Sequence, residues 1–307
     1  MPEFDQIRID LKPDFEGENV ATVFQPKSRQ RTAVLYLHGF IDYFFQEHVA
    51  DWFEDQDISF YALELRKYGR SILPHQHPNH VRNIRDYYEE IDRTIELMVK
   101  NGHKNIIFFG HSTGGLIAMS YANNGEHRAL INAYMLNSPF LELNLPFALR
   151  YVGVPIIRLF GKYFPEKKSI ASVPSIYFKS MHVDHWGEWS FNLEWKPIDG
   201  FPVLLGWVRA IALEQKHLKQ SSNVESPILL MHSSHSFLAT RKSDRIFTSD
   251  IVLNVEHMKR YGKRLGRNVE IVEIKSAPHD ILLGKPDVRK NAFKKMGKWI
   301  SSLDLNS

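Results

Sequence analysis

The stretch Asn105-Ile106-Ile107-Phe108-Phe109-Gly110-His111-Ser112-Thr113-Gly114-Gly115-Leu116-Ile117-Ala118-Met119 limits the possible folds more than any other part of the chain. Its four consecutive apolar residues, Ile106 to Phe109, mark a strand buried on both faces, since a half-solvated strand would alternate. The pattern breaks on Gly110-His111-Ser112-Thr113-Gly114 and resumes with the spacing of a helix. So abrupt a passage from strand to helix requires a sharp turn. Side chains at 110 and 114 would collide there, and glycine tolerates backbone angles that other residues avoid. Gly115 gives the helix room to lie close to the sheet. The serine at the apex has its hydroxyl pushed out at the carboxyl edge of that sheet.

The neighbouring segments define the sheet. Ile7–Leu11 alternates apolar and charged residues and, with Val20–Phe24, reads as an antiparallel pair. Ala33–Leu37 is a continuous apolar run and therefore a central strand; it ends in His38-Gly39-Phe40. Phe44, Phe45, Val49, Trp52 and Phe53 then fall at helical spacing, followed by a strand over Ile58–Leu65. A long helix is predicted over roughly 81–100, with Ile84, Tyr88, Ile91, Ile95 and Met98 on one face, and Ile131–Leu136 reads as a strand. Strands alternating with helices predict an α/β class with a mostly parallel sheet covered on both faces. From Pro139 to Ser226 the rhythm stops. It resumes with Pro227–Met231, a helix over about 251–265, the strand Val269–Ile274 and a last helix near 287–302. The expected organisation is one α/β domain, residues 1–138 and 227–307, interrupted by a mostly helical insertion at 139–226.

Four motifs stand in order along this frame: Leu37-His38-Gly39-Phe40, Leu65-Arg66-Lys67-Tyr68-Gly69-Arg70-Ser71, Gly110-His111-Ser112-Thr113-Gly114-Gly115 and Pro278-His279-Asp280. Together they resemble the α/β-hydrolases, and among them the monoacylglycerol lipase/lysophospholipase branch often labelled serine aminopeptidase-like. The resemblance spans nearly all of the chain outside the insertion. It implies an α/β-hydrolase fold with 139–226 as a cap, and a serine hydrolase that cleaves carboxylic esters through a Ser-His-Asp triad and an acyl-enzyme. Ser112 then is the nucleophile. A serine hydroxyl needs a base, and the base needs an orienting acid. In this class the acid follows the nucleophile and the histidine follows the acid. His279 lies directly after Val269–Ile274, where the base belongs. The acid belongs on the long loop after Ile228–Met231, which contains Asp244 and ends at Asp250. Asp250-Ile251-Val252 resembles the family's Asp-x-Val and favours Asp250, although the same residue also stands where a helix N-cap would. Asp244, inside Arg241-Lys242-Ser243-Asp244-Arg245, reads as solvated and remains the alternative. Two departures from the family pattern stand out: Lys67-Tyr68 replaces Gly-His, and Ser236 falls near the place usual for the aspartate. The oxyanion-hole donors implied are the backbone N–H groups of Phe40 and Thr113.

Composition narrows what else the chain does. With no cysteine there is neither a disulfide nor a thiolate nucleophile, which fits a reducing compartment. The formal charge of +4 is dispersed, without the basic stripe of a nucleic-acid module. No phosphate-cradling Gly-x-x-x-x-Gly-Lys occurs. The histidine pairs His75/His77 and His232/His235 lack carboxylates at ligand spacing and read as polar loop residues, so no metal or cofactor is expected. Met1–Val20 lacks the basic and apolar regions of a secretory leader, and no run approaches the roughly 18 apolar residues of a membrane span. The expected address is cytoplasmic. Four of the six tryptophans (Trp186, Trp189, Trp195, Trp207) fall in the insertion, an aromatic roof suited to a small ester with an apolar acyl or aromatic part. Leu145–Lys168 mixes apolar and basic residues; it reads first as a packed cap helix and second as a segment that touches a membrane surface transiently. An amidase or aminopeptidase of the same fold is the second enzymatic reading, weakened by the lack of a concentrated acidic feature to hold an amine. A non-catalytic binding protein of this fold would show a degraded triad, which this sequence does not.

Overall fold

The structure, a computed structural model, describes residues 3–144 and 147–305, and for 147–152 the backbone alone. Eight strands form one sheet: β1 (Phe4–Asp14), β2 (Gly17–Pro26), β3 (Thr32–Leu37), β4 (Ile58–Glu64), β5 (Asn105–His111), β6 (Ile131–Asn137), β7 (Ile228–Ser233) and β8 (Val269–Ile274). Their order is β1-β2-β4-β3-β5-β6-β7-β8; β2 runs antiparallel to β1 and β4, and the others run parallel. The chain steps from β3 to β4 on one side and then crosses to β5 on the other. That reversal opens a crevice beyond the carboxyl ends of β3 and β5, where open α/β sheets bind ligands.

Period-two alternation sends neighbouring side chains of each central strand into two separate cores. Ala33, Leu35 and Leu37 of β3, with Ile106 and Phe108 of β5, enter one. Val34 and Tyr36, with Ile107 and Phe109, enter the other. The first core is closed by α2 (Tyr88–Lys100), α3 (Thr113–Asn124) and α7 (Val255–Gly262), through Ile91, Ile95, Leu116, Ile117 and Met258. The second is closed by α1 (Glu47–Glu54) and α8 (Pro286–Ile300), through Val49, Phe53, Met296 and Trp299. Between β6 and β7 lie α4 (Phe147–Tyr163), α5 (Ser175–Met181) and α6 (Leu205–Ser221), joined by irregular chain. Ile41, Tyr43, Tyr177, Phe178, Met181, Phe191, Ile246, Ile251 and Leu283 form a third cluster, between this segment and the loops at the sheet's carboxyl edge.

Three element boundaries differ from the sequence expectation. Phe44 and Phe45 precede α1 rather than belonging to it; Phe44 instead packs among the rings of Phe4, Phe24 and Phe60. The last long helix before β8 starts at Val255, with Asn254 as its cap accepting from the Glu256 N–H, so Asp250 is not its N-cap. The α2 helix is likewise shorter than 81–100, because a 3-10 turn occupies Ile84–Tyr87.

Gly114 shows how closely the layers meet. A Cβ there would lie 2.4 Å from the Leu37 carbonyl oxygen and 2.5 Å from that of His38. Gly114→Ala should therefore destabilise by about 3 kcal/mol, since the obstacle is backbone and cannot rotate away. Gly153→Ala in α4, where a Cβ meets nothing within 4 Å, should be neutral or gain up to about 1 kcal/mol. Urea unfolding of the two variants checks the contrast.

Candidate active site

Ser112 sits between β5 and α3 with φ 51° and ψ −113°, a left-handed conformation strained for any residue with a side chain. The turn fits because its neighbours are glycines. A Cβ at Gly110 would lie 2.5 Å from the Gly114 carbonyl oxygen, and one at Gly115 would meet the Pro139 ring at 2.9 Å. The Ser112 N–H donates to the Asn137 carbonyl at 2.9 Å, tying the turn to the end of β6.

His279 is brought over this serine by the loop after β8. Its Nε2 lies 3.0 Å from Ser112 Oγ and its Nδ1 2.8 Å from Asp250 Oδ2. A carboxylate only accepts, so Nδ1 carries the proton and Nε2 offers its lone pair to the serine hydroxyl. Asp280, next in sequence, anchors the loop: its Oδ1 accepts from Asn137 Nδ2 at 2.8 Å and from the Leu282 N–H at 3.1 Å. Pro278-His279-Asp280 thus combines a presented imidazole with the carboxylate that fixes its loop to β6.

Asp250 arrives by a route that its distance from β7 conceals. It pairs with Ser236 as an isolated bridge: the Phe237 N–H donates to the Asp250 carbonyl and the Asp250 N–H to the His235 carbonyl, each at 2.8 Å. Residues 237–249 swing out, and the chain returns beside Ser236. Ser236 Oγ accepts from the Val255 N–H at 2.8 Å and donates to the Leu253 carbonyl at 3.0 Å, fastening the return. Asp250 Oδ1 accepts from the Val252 and Leu253 N–H groups at 2.9 and 2.7 Å, leaving Oδ2 for His279. Asp244 makes no hydrogen bond with His279; it is exposed on a 3-10 turn (Asp244–Phe247) and borders a second cavity, of about 250 Å³, whose lining also includes His279 and Asp280.

Phe40 and Thr113 both line the cavity that contains Ser112. Neither backbone N–H donates to a described residue. The Phe40 loop is held from several sides. His38 Nδ1 donates to the Gly39 carbonyl at 2.8 Å, and its Nε2 accepts from the Leu65 N–H at 3.2 Å. Asp42 Oδ2 accepts from the Gly39 N–H at 3.4 Å, and Asp42 Oδ1 meets Lys196 Nζ at 2.5 Å, with both side chains buried. The Phe40 ring stacks on Trp207 with centroids 3.8 Å apart. Lys196 and Trp207 both come from the segment between β6 and β7. Nothing in the sequence marked Lys196 out; its neighbours Trp195 and Pro197 carry no charge pattern.

Burial sets the charges around the site. It pushes His38 down to about 4, so the ring is neutral in the fold, and it lowers His111 as well. Burial alone would raise Asp42, but the Lys196 ammonium more than offsets it and keeps the carboxyl below its usual value.

The cavity over Ser112 measures about 730 Å³ and is walled by Phe140, Leu143, Ile157, Val203, Trp207 and Val208, among others. No acidic side chain is among its described lining residues. Ile156, Phe160, Lys168 and Ile170 stand at its rim, and Ile156, Phe160 and Ile170 are exposed. Of the Leu145–Lys168 segment, Leu145 and Pro146 and the side chains of Phe147, Leu149, Arg150 and Val152 lie outside the described residues. Among the described residues no helix is long and apolar enough to cross a membrane.

Residues 28–283 match the model of a family described as serine aminopeptidase, S33. A probable lysophospholipase L2 of Haemophilus influenzae is 22% identical over 290 residues, 91% of this chain and 87% of the relative. A soluble variant of the monoglyceride lipase of Saccharomyces cerevisiae, solved with a substrate analog, has a TM-score of 0.69 at 17% identity, covering 98% of this chain and 94% of that one. The monoacylglycerol lipase of Paleococcus ferrophilus gives 0.64 at 17% identity, over 98% and 100% of the two chains. A thermostable carboxyl esterase of Bacillus coagulans, solved with glycerol, gives 0.66 at 15% identity, over 97% and 98%. At such identities the likeness speaks for the fold, the α/β-hydrolase fold that the sheet order describes.

The neutral His38 has a stability consequence. The unfolded imidazole takes a proton near pH 6.5 and the folded one only near 4. The unfolded state therefore binds more protons between those values, and stability falls as pH drops from 6.5 towards 4. His38→Gln, which can keep both hydrogen bonds, should recover about 2 kcal/mol of the loss between pH 7 and pH 5. Denaturant unfolding at both pH values measures it; equal losses in the two proteins would contradict the assignment.

Proposed function

The chain belongs to the serine aminopeptidase S33 family of α/β-hydrolases, and from that premise we propose that it is a serine hydrolase cleaving carboxylic esters with an apolar acyl part. The observation that carries this reading is the hydrogen-bonded line from Asp250 through His279 to Ser112 Oγ, at the base of an apolar cavity of about 730 Å³. In the proposed reaction Ser112 Oγ attacks the ester carbonyl while His279 Nε2 takes its proton. Asp250 holds the tautomer and stabilises the imidazolium. The developing oxyanion receives the Phe40 and Thr113 N–H groups, donors of a kind worth about 3–4 kcal/mol each in barrier height. His279 returns the proton to the departing alcohol, and water then cleaves the acyl-enzyme by the same steps. These residues handle every proton in the sequence, so no cofactor is invoked.

Ester rather than amide cleavage is favoured by the cavity's walls. An aminopeptidase must hold a substrate ammonium, and the described lining of the cavity over Ser112 offers no carboxylate to do so; Glu188 and Asp244 line the other cavity that borders His279. The relatives' names point the same way: a lysophospholipase, two monoacylglycerol lipases and a carboxyl esterase. We assign residues 139–226 the role of cap, because Trp207 and Val208 roof the cavity and Lys196 and Trp207 brace the Phe40 loop. The exposed apolar rim, with Lys162, Lys167 and Lys168 nearby in the chain, would let a lipid substrate enter from a membrane surface.

A fluorophosphonate probe should label the wild type and leave Ser112→Ala unlabelled; an unlabelled wild type would contradict the mechanism. Asp250→Asn should lower kcat by about 10³–10⁴-fold through the wrong tautomer, whereas Asp244→Asn should change it less than threefold. On p-nitrophenyl esters of rising acyl length, kcat/KM should climb from acetate to medium-chain acyl groups; a fall beyond acetate would argue against the apolar cavity as the acyl site.

A further inference from the structure

The loop after the second motif carries His75-Gln76-His77-Pro78-Asn79-His80, three histidines in six positions. Read from sequence they lack a carboxylate at ligand spacing, but the fold brings one from far upstream. Glu16, in the turn between β1 and β2, lies against this tract with Oε1 2.6 Å from His77 Nδ1 and 3.7 Å from His80 Nδ1. One ligating atom from each of Glu16, His77 and His80 falls within 4.8 Å of the others. The two measured separations bracket the roughly 3.3 Å expected between ligands on a tetrahedral ion with bonds of ~2.0–2.1 Å.

His80 is the unusual member. It is 1% exposed, and neither ring nitrogen has a hydrogen-bond partner among the described residues. Burying an imidazole with neither nitrogen hydrogen-bonded is costly, and the reaction proposed at Ser112 makes no use of it. Lys67 leaves the position open: its ammonium takes the other carboxylate oxygen, Glu16 Oε2, at 2.5 Å and shares itself with Asp14 Oδ2 at 2.7 Å. Two carboxylates against one ammonium leave negative charge in excess. Arg82, stacked over the Phe15 ring, is paired with Glu166.

We propose that Glu16, His77 and His80 bind a divalent transition-metal ion of the zinc class. Two imidazoles and one carboxylate suit zinc and its neighbours better than calcium or magnesium, which prefer all-oxygen shells. Water completes the coordination, or His75 does: its ring lies close to Gly17, where an added Cβ would sit 3.4 Å from Nε2. The ion gives His80 a partner and ties the β1–β2 turn to the loop that follows Lys67. Its effect is on stability, because an ion that binds only the folded chain raises the free energy of unfolding.

Equilibrium dialysis of the untagged chain against micromolar Zn²⁺, followed by metal analysis, should return one equivalent of zinc. Zinc at about a hundredfold excess over Kd should raise Tm by roughly 4 °C. His77→Ala, at a side chain 58% exposed and so tolerated by the fold, should weaken binding tenfold or more and abolish the Tm shift. His80→Asn should do the same, and His235→Ala, at an exposed loop histidine, should change neither. Failure of the wild type to retain stoichiometric zinc, or undiminished retention by His77→Ala, would overturn the proposal. Neither readout depends on turnover at Ser112.

Discussion

The approach of Gly114 to the carbonyl oxygens of Leu37 and His38 is the contact on which the rest of the site depends. It lets α3 begin directly behind β3, so the loop leaving β3 and the turn leaving β5 share one small space at the carboxyl edge. Ser112, Phe40 and Thr113 all border one cavity there. The Ser112 turn is strained, and the surrounding structure must hold it. It does so through the Ser112 N–H to Asn137 and through the Ser112 carbonyl, which accepts from the Gly115 and Phe140 N–H groups at 3.0 Å each.

A second layer holds the partners of that serine. Asn137, at the end of β6, donates to Asp280 and accepts from the Ile281 N–H, so one amide side chain fixes the His279 loop. The Phe40 loop has its own support in the Asp42–Lys196 pair and the Trp207 ring. A buried ion pair of this kind is weak evidence for net stability, because desolvation offsets much of the attraction. Its geometric effect is clearer: Asp42, held by Lys196 on one oxygen, receives the Gly39 N–H on the other. The segment between β6 and β7 therefore does more than cover the cavity. It also touches the loop that presents a proposed oxyanion donor.

Much of this was legible in the sequence because it rests on short-range pattern. Runs such as Ile106–Phe109 and Ala33–Leu37 announce strands buried on both faces, and the glycines around Ser112 announce the turn. His279 stands where the base belongs, directly after the last strand. What the sequence hid depends on contacts between distant residues. The Ser236–Asp250 bridge shortens a long loop, and no local pattern encodes it. Phe44 and Phe45 carried a helical spacing that tertiary packing of the Phe4, Phe24 and Phe60 rings overrode. Lys67, where the family has glycine, adopts φ 65° and sends its buried ammonium to Asp14 and Glu16, compensating the strain with ion pairs to a different strand turn. The carboxylate beside the histidines of 75–80 was invisible for the same reason.

The central claim is that Ser112 carries the acyl group between two half-reactions. It is tested most directly by rapid-quench mass spectrometry of the chain mixed with a medium-chain p-nitrophenyl ester. The account predicts a transient mass increase equal to the acyl group, located on the peptide containing Ser112 and absent from Ser112→Ala. Release of p-nitrophenol at the full rate with no acyl adduct at any quench time, or an adduct on another residue, would contradict it.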